Sequence, residues 1–258
     1  MNLIRDQVLV ALDFETTGLR PQSGDRVIEV ALVRGRRGEE PQCWSSLVQP
    51  GRAVRGTEVH GITAAMLEGQ PDFRACLPMI QDLLEDGLLV AHHARVDLSF
   101  FAMEVRRLGL PWVEPPALDT LGLARSLPNL LERSLAALSR DFALPVRPSH
   151  RAEADALATW YLAWELLDRL DPDHQWTVEE ALKQGQISRA RQREALLIRL
   201  HHAISAGEEL LVEYRSNEAI TTRRITLRKV GNREVEAWCH LRGADRKFRL
   251  DRLRVVDA

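Results

Sequence analysis

Residues 8–12 form an unbroken apolar run, Val-Leu-Val-Ala-Leu, that ends in Asp13-Phe14-Glu15-Thr16-Thr17-Gly18. A run of this length and composition reads as a buried strand. Side chains two apart on a strand share a face, so Asp13 and Glu15 emerge side by side at its end. Each carboxylate raises the cost of ionising the other, and the pair is unfavourable unless a cation sits between them. Hard divalent cations such as Mg²⁺ take this all-oxygen environment. The chain must therefore build a sheet around the run and hold charge at its end, which makes a metal-dependent hydrolase the leading expectation.

Two further segments carry the same chemistry: His92-His93-Ala94-Arg95-Val96-Asp97 and His150-Arg151-Ala152-Glu153-Ala154-Asp155. Taken singly, each residue has a plainer reading. Asp13 would be a turn or cap, Asp97 an N-cap, Asp155 a dipole-favoured acid in a first helical turn, and His150 an exposed loop histidine. Strand-like stretches at 8–13, 26–34 and 43–49, separated by glycine turns, predict a three-stranded meander. Helical spacing follows at 73–85, a short strand at 88–91, and helices at 97–108, 121–127, 134–142 and 153–170. That succession predicts an α/β domain, a mixed sheet flanked by helices.

The segment 171–175, Asp-Pro-Asp-His-Gln, breaks the last helix and reads as the domain boundary. This places one domain at 1–172, a helical linker at 173–192 and a second domain at 193–258. Helices are expected at 177–184 and 190–204. Strands follow at 210–214, 221–230, 234–240 and 246–250, with a turn at Gly231-Asn232, and favour a small barrel or curled sheet. The net charge of −2 conceals an asymmetry. Residues 186–258 hold 16 Lys/Arg against 10 Asp/Glu, a net of +6, leaving −8 for residues 1–185. A basic module on an acidic one suits a polyanionic partner. Three cysteines without metal-type spacing, and an N-terminus lacking a signal-peptide core, lead to the expectation of a cytoplasmic location. No apolar run approaches the length of a membrane span.

Together the three acidic segments resemble the three motifs of the DEDDh group of 3′-to-5′ exonucleases, which includes the polymerase III epsilon subunit, RNase T and oligoribonuclease. The resemblance covers about residues 6–170 and implies a ribonuclease H-like fold. Carried over by position, it makes Asp13, Glu15, Asp97 and Asp155 ligands of two divalent ions, Mg²⁺ or Mn²⁺, and His150 the general base. A histidine titrates near neutrality and suits that role. His93 stands where related enzymes often have Asn, and His92 or His93 is expected to support the loop before Asp97. Asp119 resembles a helix-capping position. Thr16, Thr17, Gly18, His60 and Phe101 are the substrate-binding candidates.

The second domain resembles a WYL domain, a small Sm-like barrel. The resemblance rests on Tyr214, Arg223, Trp238-Cys239-His240-Leu241-Arg242 and Arg246-Lys247-Phe248-Arg249-Leu250-Asp251-Arg252. The eponymous Trp-Tyr-Leu triplet is absent, with Ala237-Trp238-Cys239 in its place. Arg223, Arg242, Arg246 and Arg249 are expected on one face as an anion or nucleic-acid surface; the alternative is internal pairing with Asp251 or Glu213. The expected partner is single-stranded nucleic acid, DNA ahead of RNA, with a DNA polymerase or repair complex as a further partner and no membrane. RNA 3′-end trimming, or nucleic-acid binding without catalysis, stays open as an alternative.

Overall fold

In the computed structural model the described residues are 2–127, 130, 132–186, 189–216, 219–231 and 233–256, with the backbone alone for 189–195 and 251. They fall into two compact units, Met1–Ser126 with Glu132–Gln186, and Leu127–Leu131 with Ile187–Ala258.

The first unit opens on β1 (Leu9–Thr16), β2 (Val27–Gly35) and β3 (Gln42–Leu47), an antiparallel meander. Two single-turn helices, α1 (Thr57–His60) and α2 (Ala64–Leu67), precede α3 (Phe73–Leu84). Then come β4 (Leu88–Ala91), α4 (Arg95–Arg107), β5 (Ala117–Asp119), α5 (Thr120–Ser126), α6 (Leu135–Asp141), α7 (Ala152–Leu170) and α8 (Val178–Gly185). The sheet order is β3-β2-β1-β4-β5, with β4 parallel to both β1 and β5. This is the expected mixed sheet. The three-residue β5 was not foreseen, being too short to show any alternation.

Alternation along β1 sorts the two faces. Val10, Leu12 and Phe14 join Val30 and Leu32 in a core with Phe73, Leu77, Ile80, Phe100, Phe101 and Val105 of α3 and α4. The opposite face carries Ala11, Asp13 and Glu15, paired with Val33, Ala31 and Glu29 of β2, and α7 packs across both strands. The helix contributes Ala152, Ala156 and Ala163, all fully buried. Small residues on both sides let it lie close, with its N-terminal turn near the end of β1.

Segment 171–175 is a turn within the first unit, contrary to its reading as a boundary. The Asp171 carboxylate is buried and accepts the backbone N–H groups of Gln175 and Trp176 at 3.0 and 2.8 Å. The chain then pairs with the N-terminus, where Ile4 N–H donates to Trp176 O and Val178 N–H to Asn2 O. Helix α8, capped by the Thr177–Glu180 box, packs on α5 and β5. A Cβ on Gly122 of α5 would sit 1.5 Å from the Gly185 carbonyl oxygen. A backbone oxygen cannot swing aside, so Gly122→Ala is expected to cost about 3 kcal/mol through overpacking. Thermal unfolding checks this, and an unchanged melting temperature would mean that the helices do not meet here.

The second unit comprises α9 (Arg189–Ala206), β6 (Glu209–Arg215), β7 (Ile220–Val230), β8 (Glu234–Cys239), β9 (Ala244–Arg249) and β10 (Leu253–Val255). Its antiparallel sheet has the order β10-β6-β7-β8-β9 around a core of Leu200, Leu210, Val212, Ile225, Val235, Phe248 and Leu253. It is mostly β, as expected. The short β10 was not anticipated, and Asn232 of the expected turn lies outside the described residues.

The four arginines do not share one face, which corrects the sequence expectation. Arg246 is two residues from buried Phe248 and on its side of β9, whereas Arg249 is three residues from Arg246 and points to the other side. Arg223 lies on the core side of β7 with Ile225, its guanidinium 5.9 Å from the Tyr214 and Phe248 ring centroids. Arg242 is exposed in the β8–β9 turn. Glu213 pairs with Arg254 at 2.8 Å, and the Asp251 side chain lies outside the described residues.

Candidate active site

Three elements meet at the C-terminal end of β1. Asp13 and Glu15 are half-buried on the face that α7 covers. Asp97, in the first turn of α4, is buried at 7% exposure, and Asp155, in the first turn of α7, at 9%. Ligand atoms of Glu15, His150 and Asp155 all lie within 4.8 Å of one another. Asp13 lies within electrostatic reach of Asp97, Asp155 and Glu15. All five residues expected in the catalytic centre thus come together, although they are drawn from segments more than 130 positions apart.

Burial dominates the electrostatics. It pushes the Asp13 carboxyl well above its ordinary range, and Asp97, Asp155 and Glu15 add to the rise. Burial and then Asp155 push Glu15 up to about 7. Asp97 also reaches about 7 through burial, against backbone hydrogen bonds from its own amide and that of Phe14. Asp155 is raised by burial and held back by the Ser149 amide and by His150. The Arg151 guanidinium, held by Glu29, pulls Glu15 back down against that rise. The cluster is a concentrated oxygen donor set whose burial and mutual repulsion outweigh the pull of Arg151 on Glu15.

The folded carboxyls therefore bind protons that unfolded ones, with ordinary values near 4, release. Between about pH 4 and 7 the folded, metal-free chain holds more protons, so its stability falls as pH rises through that window. His92 runs the other way: burial lowers it to about 4, so its contribution is lost as pH falls from about 6.5 towards 4. One histidine is outnumbered by the carboxyls. The melting temperature of metal-free protein is expected to drop between about pH 5 and 7, and Mg²⁺ or Mn²⁺ to restore it most at the upper end. A melting temperature that rises over this range would contradict the electrostatics.

His92 supports the loop before Asp97 through both ring nitrogens. Its Nε2–H donates to the Arg133 carbonyl at 3.0 Å, which leaves Nδ1 to accept the Thr120 hydroxyl at 2.9 Å. His93 holds a left-handed φ of +71°, a conformation that Asn, Asp and His tolerate better than most residues. Its N–H and that of Leu121 both donate to Asp119 Oδ1, at 2.9 and 3.0 Å, so Asp119 caps and ties rather than ligates.

The substrate-binding candidates divide. His60 is buried, with Nδ1 accepting Ile62 N–H at 3.0 Å and Nε2 donating to Arg55 O at 3.0 Å. Both nitrogens are committed to shaping the loop, so its side chain offers nothing to a ligand. Phe101 is buried against Phe14, Phe73 and Trp112 and belongs to the core. Thr17 is buried, and its hydroxyl accepts Arg26 N–H. A Cβ on Gly18 would meet the Asp25 carboxylate at 2.4 Å, so glycine here serves the loop's own packing. Thr16 remains half-buried, its hydroxyl donating to Gly18 O. The loop is pinned by Arg107, which donates to Pro21 O and Asp25 O and, with Arg26, forks the buried Glu104.

Sequence reasoning missed Glu29 and Arg151. Glu29 is the one charge in the apolar stretch 27–33, which was a usable signal because an unpaired acid is rarely buried there.

The Exonuclease profile of the RNase T type matches residues 10–163. The chain belongs to this exonuclease family. The DNA polymerase III PolC-type of Thermotoga maritima is 38% identical to the exonuclease segment over 157 residues, 60% of this chain and 11% of that polymerase. The 3′-5′ exonuclease DinG of Bacillus subtilis is 30% identical over 167 residues, 64% of this chain and 18% of that protein. The chain thus spans under a fifth of the length of either relative. Among solved structures, Exonuclease X in complex with 5′-overhanging duplex DNA aligns with a TM-score of 0.55 and 26% identity, covering 69% of this chain and 99% of its own. The family match ends within α7, at residue 163.

Proposed function

We propose that this chain is a metal-dependent 3′-to-5′ exonuclease that releases nucleoside monophosphates from single-stranded DNA ends. The observation that carries the proposal is the convergence of Glu15, His150 and Asp155 within 4.8 Å, beside Asp13 and Asp97. The donor set suits hard divalent cations: four carboxylates, buried or half-buried, each made harder to ionise by burial, with neighbouring carboxylates adding to the rise at Asp13, Glu15 and Asp97. Asp13, Glu15, Asp97 and Asp155 would hold two such ions, Mg²⁺ or Mn²⁺. When bound, they supply Lewis-acid stabilisation of the entering and leaving oxygens. His150 takes a proton from the attacking water at a ring nitrogen as the new phosphorus–oxygen bond forms. The 3′-oxygen of the penultimate nucleotide departs and is protonated by solvent. Backbone of the pinned loop after β1, including Thr16 and Gly18, flanks the terminal nucleotide.

For the second unit we propose a WYL-like, Sm-like barrel that grips the strand. Its net positive charge supports this, as does a strand order that returns β10 beside β6. Arg223 and Arg246 on the core side and Arg242 in the turn are the cations offered to phosphates, with Arg249 on the other face.

The test digests 5′-labelled DNA and RNA oligonucleotides with Mg²⁺ or Mn²⁺. A ladder shrinking from the 3′ end, faster on DNA, is expected; faster loss of RNA would make this a 3′-trimming ribonuclease. No digestion of either polymer would leave a binding protein without catalysis. Arg242→Glu with Arg246→Glu should weaken strand binding and flatten its salt dependence by about one charge per lost contact. An unchanged salt slope would remove the grip.

A further inference from the structure

The Glu29 carboxylate lies directly opposite Glu15 across the β1–β2 pair, on the face under α7, and is 4% exposed. A fifth acid beside four others adds repulsion where the fold can least accommodate it. Three donors hold it there: Arg151 Nε at 3.1 Å, Arg151 Nη2 at 2.6 Å and Ala152 N–H at 2.9 Å. Ala152 opens α7, and the N-cap residue Arg151 provides no side-chain cap of its own. The first amides of a helix lack intrahelical partners, so Glu29 supplies from the sheet the acceptor that the helix start is missing.

His150 sits immediately before this junction with φ +55°. A left-handed histidine persists only where its surroundings over-determine it. Here both neighbours are anchored: Ser149 N–H donates to Asp155 Oδ1 at 2.8 Å, and Arg151 forks Glu29. Without the Glu29 fork the turn would be held from the Asp155 side, through the Ser149 amide and its neighbours, with the imidazole less firmly set against Glu15 and Asp155.

We infer that Glu29 and Arg151 are a positioning pair that holds His150 in place for proton transfer. The inference rests on the exonuclease reading above and assigns neither residue to the reacting atoms. Steady-state digestion of a labelled strand by the full chain tests it, in wild type, Glu29→Gln, Glu29→Ala, His150→Ala and the double variant. Glu29→Ala should lower kcat by about 10- to 100-fold, as loss of a supporting partner does, with KM changed by less than about twofold. Glu29→Gln, which keeps an acceptor for the Ala152 amide, should recover part of the loss.

In the His150→Ala background, Glu29→Ala should cost nothing further, because the pair acts through that imidazole. An equal loss in both backgrounds, tracking a lower melting temperature, would show a merely structural role and overturn the inference. So would an unchanged kcat in Glu29→Ala beside an active wild type. A wild type that digests nothing would instead overturn the exonuclease reading itself.

Discussion

Asp13→Ala is expected to lower the rate of 3′-end digestion by about four powers of ten, the kinetic equivalent of losing several kcal/mol of transition-state stabilisation. Asp13 sits at the centre of the cluster, since Asp97, Asp155 and Glu15 all act on its carboxyl. Removing it takes away a donor and also relieves repulsion in the ion-free state. The same variant should therefore melt at a higher temperature than wild type without metal, and gain less from Mn²⁺. A digestion assay with melting curves reads both effects. A nuclease rate within tenfold of wild type would mean that Asp13 holds no ion the reaction needs.

His150→Ala is the second large effect, about 10²- to 10⁴-fold in kcat from loss of a general base. Its side chain is exposed, so the fold loses little packing and the melting temperature should barely move. Carboxylate ligands remain, so Mn²⁺ binding should persist. Added imidazole should restore part of the rate. Loss of Mn²⁺ binding in proportion to the rate would recast His150 as a ligand rather than a base.

The candidate site residues are legible because each announces itself in one dimension. Asp13 and Glu15 follow an apolar run, and Asp97 and Asp155 open helices whose periodicity is plain. The pairing of Glu29 with Arg151 spans 122 positions and depends on β1–β2 register, which no local pattern encodes. The burial of His60 and Phe101 is hidden for a related reason: a loop histidine and a helical phenylalanine look alike in sequence whether they face a ligand or the core. Asp171-Pro172-Asp173 has the composition of a linker, yet buried Asp171 closes a turn on two amides. The three-residue offset of Arg246 and Arg249 already sets them on opposite faces of a strand, whereas the placing of Arg223 beside Tyr214 and Phe248 depends on strand pairing that spacing does not give.

The most direct test of the central claim, one ion-holding site built from β1, α4 and α7, is a calorimetric titration of the metal-free chain with Mn²⁺. Two bound ions per chain are predicted for the intact protein, with binding lost or reduced to one weak site in Asp13→Ala and in Asp155→Ala. Absence of binding to the intact chain, or equal binding to all three proteins, would contradict it.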